Sequence, residues 1–184
     1  MWDGQIKVIT GIRRAGKSTL LFDLFYNYLI DNGIYKENII TLQLDKRKDA
    51  KYRNPIVLAE FVEKQIRMHT EKFYLFIDEI QFCYSVPDPD NAGFVITIYD
   101  MLNELKDYKN LDVYVTGSNS KMLSKDISTE FRGRSSQIHV YPLSFAEYND
   151  AVGGDKRDNF DRYMIYGGLP YILHLKTEEQ YKDY

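Results

Sequence analysis

Cysteine is all but absent from this chain, with Cys83 the one thiol in 184 residues. A single cysteine cannot close an internal disulfide, so the fold must stand on its core, and a reducing compartment suits it. Cys83 has no obvious catalytic partner in sequence and reads as a structural thiol. Histidine is scarce too. His69, His139 and His174 lie far apart and form no ligand-spaced pair, which argues against a metal centre built from protein ligands alone. Neither a signal-peptide pattern nor an apolar run of membrane-spanning length occurs, so the expectation is a soluble, cytoplasmic domain. Excess charge is missing as well. A formal net charge of −3 argues against broad attraction to nucleic acid. The one dense basic stretch, Lys46 to Arg53, reads as a solvated loop after a strand and leaves a local nucleic-acid contact open. There is no internal repeat and no low-complexity tract.

What is present is an ordinary core and one dense motif. The hydrophobic fraction of 44% can fill the core of one domain. The 16 tyrosines are scattered, as expected for core edges and surface rather than a stacking platform. The run Gly11-Ile12-Arg13-Arg14-Ala15-Gly16-Lys17-Ser18 fits the phosphate-loop pattern G-x-x-x-x-G-K-[ST] at every fixed position. The glycines let backbone N–H groups turn inward to cradle phosphate oxygens. Lys17 can reach β- and γ-phosphates as a point charge, and Ser18 can place a hydroxyl on Mg²⁺. A helix starting here aims its positive end at the same phosphates. The flanks agree: Ile6 to Thr10 reads as a strand, and Leu20, Leu21, Leu24, Phe25, Tyr28 and Leu29 recur at helical spacing up to an Asn32-Gly33 stop. The candidate nucleotide-binding residues are Gly11, Arg14, Ala15, Gly16, Lys17, Ser18 and Thr19, with ATP or ADP and Mg²⁺ as ligands.

The rest of the chain alternates strand and helix. Strands are expected at Ile39 to Leu44, Phe73 to Ile77, Val113 to Thr116 and Gln137 to Tyr141. A helix opens at Asn54-Pro55 with Val57, Leu58, Phe61, Val62 and Ile66 inward, and another is marked by Phe94, Val95, Ile98, Leu102 and Leu105. Residues 85–93 read as a loop. This alternation predicts an α/β fold, a parallel sheet with helices on both faces.

The third strand carries the second chemical signal, Asp78-Glu79. Ligands of parallel α/β sheets bind beyond the carboxyl ends of strands, so Asp78 is delivered to the edge that holds Lys17. A carboxylate there can hold the Mg²⁺ water shell, and Glu79 can orient or deprotonate an attacking water. The alternative, that the pair merely caps a turn, stands beside this reading. The fourth strand ends in Thr116-Gly117-Ser118-Asn119. Ser118 and Asn119 either sense the γ-phosphate or cap a helix beginning near Lys121.

Gly11 to Ser18, Phe73 to Gln81, Thr116 to Ser120 and Phe131 to Arg134 together resemble prokaryotic AAA+ ATPases. The nearest subgroup is an ATP-binding family usually followed by a C-terminal domain of unknown function. The resemblance implies a P-loop NTPase with five parallel strands in the order 5-1-4-3-2. It also implies an arginine finger in Arg132 or Arg134, for which surface pairing with Glu130 is the alternative. Gly167-Gly168-Leu169-Pro170 is similar to a glycine-x-proline element that touches the nucleotide base, which makes Gly168 and Pro170 candidate contacts.

Residues 1–150 are then expected to form the nucleotide-binding core and 151–184 the start of a truncated helical lid, with Tyr171, Ile172 and Leu175 partly exposed. The resulting expectation is a Mg²⁺-dependent ATPase that couples hydrolysis to a conformational switch on an unknown protein client, with catalytic candidates Glu79, Ser118, Asn119 and Arg134. Oligomerisation of the full-length protein is left open. A P-loop kinase and a nucleotide-binding regulatory module with negligible turnover remain alternatives. A GTPase is disfavoured by the lack of an Asn-Lys-x-Asp motif.

Overall fold

The computed structural model describes residues 2–117, 131, 133–175, 177 and 179–180. Five strands form one all-parallel sheet: β1 (Ile6–Thr10), β2 (Ile39–Gln43), β3 (Phe73–Asp78), β4 (Leu111–Thr116) and β5 (Ser135–His139). Numbering these five alone, their spatial order is β5-β1-β4-β3-β2, the expected one. The central strands β3 and β4 are buried at all six positions, which is why both read as near-continuous apolar runs.

Helices cover both faces. The helical run α1 (17–31) follows the glycine-rich loop, with its middle section, Leu20–Phe25, wound as a π-helix. Phe25 of α1 meets Tyr74, Phe76 and Tyr114 at ring-centroid distances of 6.4, 5.5 and 4.9 Å. The opposite face is covered by α2 (Pro55–Ile66) and α3 (Ile98–Leu105). Asn54 caps α2 by accepting from the N–H groups of Ile56 and Val57. Leu58, Val62, Ile66, Leu102 and Leu105 then join Ile6, Val8, Leu75, Ile77, Val113 and Val115 in the larger core cluster. Each such fully buried aliphatic side chain stabilises the fold by about 1.5–3 kcal/mol. Two further helices, α4 (Phe145–Val152) and α5 (Lys156–Tyr166), precede a 3₁₀ turn, Pro170–His174.

Four expectations need correction. β5 lies two residues earlier than the apolar run 137–141 suggests, because its register is set by pairing with β1, from Ile6 opposite Ser135 to Thr10 opposite His139. Phe94 and Val95 do not belong to a helix. Val95–Ile96 pairs antiparallel with Val86–Pro87, so 85–93 is a hairpin rather than a plain loop, and α3 starts only after the Thr97 capping box. Ile172 is buried, while Tyr171 is 54% exposed. The basic stretch is not a plain loop either. Arg47–Arg53 winds into 3₁₀ turns in which Asp49 accepts from the Gln43 N–H at 2.8 Å and Arg53 donates to the Leu44 carbonyl at 2.7 Å.

Strand alternation puts Lys7, Asp112, Tyr114, Asp78 and Thr116 on the sheet face that α1 covers. At the amino edge of that face, Lys7 donates to Asp112 at 2.6 Å with both side chains nearly sealed from solvent. Asp112 accepts again from the Tyr114 hydroxyl at 2.9 Å. Removing one partner of a buried pair strands the other charge, so Lys7→Met should cost about 3–5 kcal/mol. Adding Asp112→Leu should return part of that loss. Urea unfolding of the three proteins checks both statements.

Candidate functional site

The loop Gly11 to Gly16 links the carboxyl end of β1 to the amino end of α1. The Val140 N–H donates to the Thr10 carbonyl at 2.8 Å, which draws the next segment across the loop. Gly11, at φ 146°, lies so close to the Val140 carbonyl oxygen that a Cβ would overlap it, so the position requires glycine for space as well as for conformation. Gly16 (φ 99°) and Arg14 (φ 66°) also hold left-handed backbone. Lys17 is buried, and its ammonium donates to the carbonyls of Gly11 at 3.0 Å and Ile12 at 2.8 Å. Burial lowers its pKa from the ordinary value, while the carboxylates of Glu79 and Asp78 pull the other way.

Asp78 ends β3 beside that loop. Its carboxylate accepts from the Ser18 hydroxyl at 2.8 Å and, through the other oxygen, from the Thr116 hydroxyl. Thr116, fully buried at the end of β4, also accepts from the Glu79 N–H at 3.2 Å. Glu79 itself adopts φ 56°, ψ 54°, which breaks the strand alternation and redirects its side chain. Gln81, two residues on, donates its side-chain amide to the Glu79 carboxylate. Burial raises the Asp78 pKa above the ordinary carboxylate value, against the two hydroxyl hydrogen bonds that hold it down. Among the described residues no ion pair within 4.0 Å joins Asp78 to a cation, in contrast to Asp112 at the other edge.

A cleft of about 640 Å³ opens over these groups, lined by Arg14, Gly16, Lys17, Ser18, Thr19 and Glu79 on one wall and by Pro170, Tyr171 and His174 on the other. Gly16 is close enough to Pro170 that an added Cβ would sit 3.7 Å from its Cγ. The rings of Tyr171 and His174 are 6.0 Å apart. Phosphate loop, acidic pair and Pro170 therefore meet at one place, as the sequence pattern requires. Gly168 does not line the cleft. Its Cα faces the Leu143 carbonyl and the Tyr163 ring, and its own carbonyl accepts from the Leu143 N–H at 2.7 Å. Its close approach is to protein, which corrects the expectation of an approach to a base. Ala15 is buried in the loop.

Arg134 is exposed, one residue before β5, and its carbonyl accepts from the N–H of Ile6, the first residue of β1. It sits at the amino edge of the sheet, whereas the loop begins at the carboxyl edge. A five-residue strand at about 3.3 Å per residue separates the two, so Arg134 cannot reach the cleft of its own chain. Ser118, Asn119, Arg132 and Glu130 lie outside the described residues. Cys83 is remote in chemistry: its thiol donates to the Tyr52 carbonyl, and burial pushes its pKa up to about 12.

The oxygen donors Ser18 and Asp78 suit a small hard cation such as Mg²⁺, which typically takes one or two protein oxygens and completes its shell from phosphate and water. No group of three or more His, Cys, Asp or Glu side chains able to hold a metal occurs among the described residues. Three contributors escaped the sequence reading. Thr116 was read only as part of a polar strand end, and its double contact depends on register. Tyr171 and His174 form a wall through a turn that packs back from far along the chain, and their only local signal was the preceding Gly-x-Pro.

The model of a family described as "AAA domain" matches residues 3–149. An uncharacterized protein of Haemophilus influenzae is 33% identical over 173 residues, covering 91% of this chain and 40% of the relative. An uncharacterized protein of Methanocaldococcus jannaschii is 34% identical over 195 residues, covering 97% and 38%. The chain thus spans about two fifths of the length of either relative. Among solved structures, the Walker-type ATPase of Pyrococcus abyssi is similar with TM-score 0.54 at 15% identity, over 91% of this chain and 60% of that one. PCH-2 of C. elegans gives TM-score 0.56 at 12% identity, over 89% and 41%. At such identities these likenesses speak to the fold.

The raised pKa of Asp78 sets a sign. The folded state holds this proton more tightly than the unfolded chain, so this group's contribution to stability is present below its ordinary value of 3.8. It is lost as pH rises through the folded-state pKa. Asp78→Asn should therefore raise Tm at pH 7 without added Mg²⁺ or nucleotide, with the gain shrinking as pH falls toward the ordinary carboxylate value. Thermal denaturation of both proteins across that range is the check. Thr116→Val, by contrast, strands the Glu79 N–H and should cost about 1–3 kcal/mol.

Proposed function

The chain belongs to the AAA-domain family, and from that membership we propose that it binds ATP with Mg²⁺ and hydrolyses it to drive a conformational change on a protein client. The observation that carries the reading is the Ser18–Asp78 hydrogen bond at 2.8 Å. It brings the hydroxyl after the phosphate-loop lysine onto the carboxylate that ends β3, the two oxygens a triphosphate-bound Mg²⁺ uses.

In this reading the backbone N–H groups of the loop and the amino end of α1 receive the phosphates. Lys17 exchanges its two carbonyl contacts for β- and γ-phosphate oxygens, and Arg14 and Thr19 line the same cleft. Bound Mg²⁺ would neutralise charge at the β- and γ-phosphates from Ser18 and Asp78. Glu79 accepts a proton from water as its oxygen bonds to the γ-phosphorus. The bond from that phosphorus to the bridging oxygen breaks, and ADP keeps the bridging electrons. Pro170, Tyr171 and His174 cover the base.

The sheet and the helices on its faces act as the nucleotide-binding core; the expected boundary at residue 150 falls inside α4 (Phe145–Val152), so α4 goes with α5 and the Pro170–His174 turn as the cover. Arg134, out of reach of its own cleft, serves as an arginine finger only toward a neighbouring subunit, so turnover at full rate requires assembly. Ser118 and Asn119 follow Thr116 and are assigned to sensing the γ-phosphate. The domain works in the cytoplasm.

Lys17→Ala should weaken MgATP binding by about 1.5–3 kcal/mol, the cost of a lost charge-assisted contact. Thermal shift with ATP, ADP and GTP measures it, and equal shifts in wild type and variant would count against the loop as the site. Glu79→Gln should bind ATP normally and hydrolyse it about 10²–10⁴-fold more slowly, read as single-turnover phosphate release.

A further inference from the structure

We propose that Gln81 is a positioning residue that holds the Glu79 carboxylate, by its side-chain amide, in the orientation from which Glu79 takes the proton of the attacking water. The proposal rests on the hydrolysis reading above and adds a residue to it.

Glu79 is the first residue past β3, and its left-handed backbone, φ 56° and ψ 54°, is unusual for a residue with a long side chain. Such strain persists where the surroundings over-determine it. Here the Thr116 hydroxyl accepts from the Glu79 N–H, and the Phe82 N–H donates to the Glu79 carbonyl at 3.0 Å. The backbone is fixed on both sides, but a glutamate side chain still has three rotatable bonds beyond it. Ile80, fully buried, anchors a single 3₁₀ turn over Ile80–Phe82, and this turn curls Gln81 back over Glu79.

The Gln81 amide then donates from Nε2 to Oε2 of Glu79. Only the donor end of an amide can face a carboxylate, so chemistry fixes which way the amide points. Its other end, Oε1, is buried without a hydrogen-bond partner among the described residues. A buried acceptor left unpaired is disfavoured. The contact with Glu79 is therefore what holds this amide in its pose, rather than a network that satisfies Gln81 for its own sake. The geometry is that of a side chain kept in an otherwise unrewarding position to fix a neighbour.

The test is steady-state ATP turnover and nucleotide binding for wild type, Gln81→Ala, Gln81→Glu, Glu79→Gln and the Gln81→Ala/Glu79→Gln double variant. Gln81→Ala should lower kcat about 10–100-fold, the scale of a misplaced catalytic group, with KM for MgATP nearly unchanged. It should lower turnover no further in the Glu79→Gln background, because residues that act through one another are not additive. Gln81→Glu places a second carboxyl against Glu79 and should lose turnover at neutral pH. Its activity relative to wild type should recover as pH falls, once the introduced carboxyl holds a proton and donates again.

Wild-type kcat in Gln81→Ala, a further loss on the Glu79→Gln background, or a pH-independent ratio for Gln81→Glu would each overturn the assignment. Should Gln81→Ala fail to fold, the pH profile of the near-isosteric Gln81→Glu decides alone. Turnover that falls in Glu79→Gln but not in Gln81→Ala removes Gln81 only. Turnover absent from wild type, or indifferent to Glu79→Gln, removes the hydrolysis reading and this assignment with it.

Discussion

Three separate segments of the chain meet on the carboxylate of Asp78. Ser18 brings the start of α1, Thr116 brings the end of β4, and Asp78 itself ends β3. Thr116 then passes the link to the Glu79 N–H. The relative placement of phosphate loop, acidic pair and the end of β4 follows from one buried anion and two hydroxyls. The arrangement is costly, since burial raises the pKa of that anion and no cation among the described residues lies within ion-pair distance. A buried carboxylate whose pKa is pushed away from its ordinary value beside a cleft is a feature of functional sites.

The two edges of the same sheet face make the point by contrast. At the amino edge, Asp112 is neutralised by Lys7 and braced by Tyr114. At the carboxyl edge, Asp78 receives hydroxyls instead, and Lys17 spends its donors on the carbonyls of Gly11 and Ile12. The same face thus carries one closed ion pair that holds the fold and one open anion, buried beside Ser18 and Glu79, which line the cleft. Electrostatics, as much as the loop motif, distinguishes the edge beside the cleft from the opposite one.

Legibility from sequence followed the range of the interactions. The phosphate loop is contiguous, so Gly11 to Ser18 could be read directly, as could Asp78-Glu79 behind five apolar residues. The central strands were plain because burial on both faces leaves an apolar run. β5 was misplaced because Ser135 and Ser136 carry no apolar signal and are strand only through pairing with β1. Phe94 and Val95 look helical in spacing but stand 67% and 60% exposed on a hairpin. The Gly-x-Pro pattern points Gly168 at a base, whereas its neighbour is the Leu143 carbonyl, a matter of packing that no local pattern encodes. The wall formed by Tyr171 and His174 escaped for the same reason.

The account's central claim is that the open anion and the loop form one site for a Mg²⁺-bound triphosphate. Equilibrium titration by calorimetry with ATP, ADP and AMP, each with Mg²⁺ and again with chelator, tests it most directly. The account predicts one site per chain, with affinity rising from AMP to ATP and ATP binding weakened when Mg²⁺ is withdrawn. Affinity indifferent both to the number of phosphates and to Mg²⁺ would contradict it.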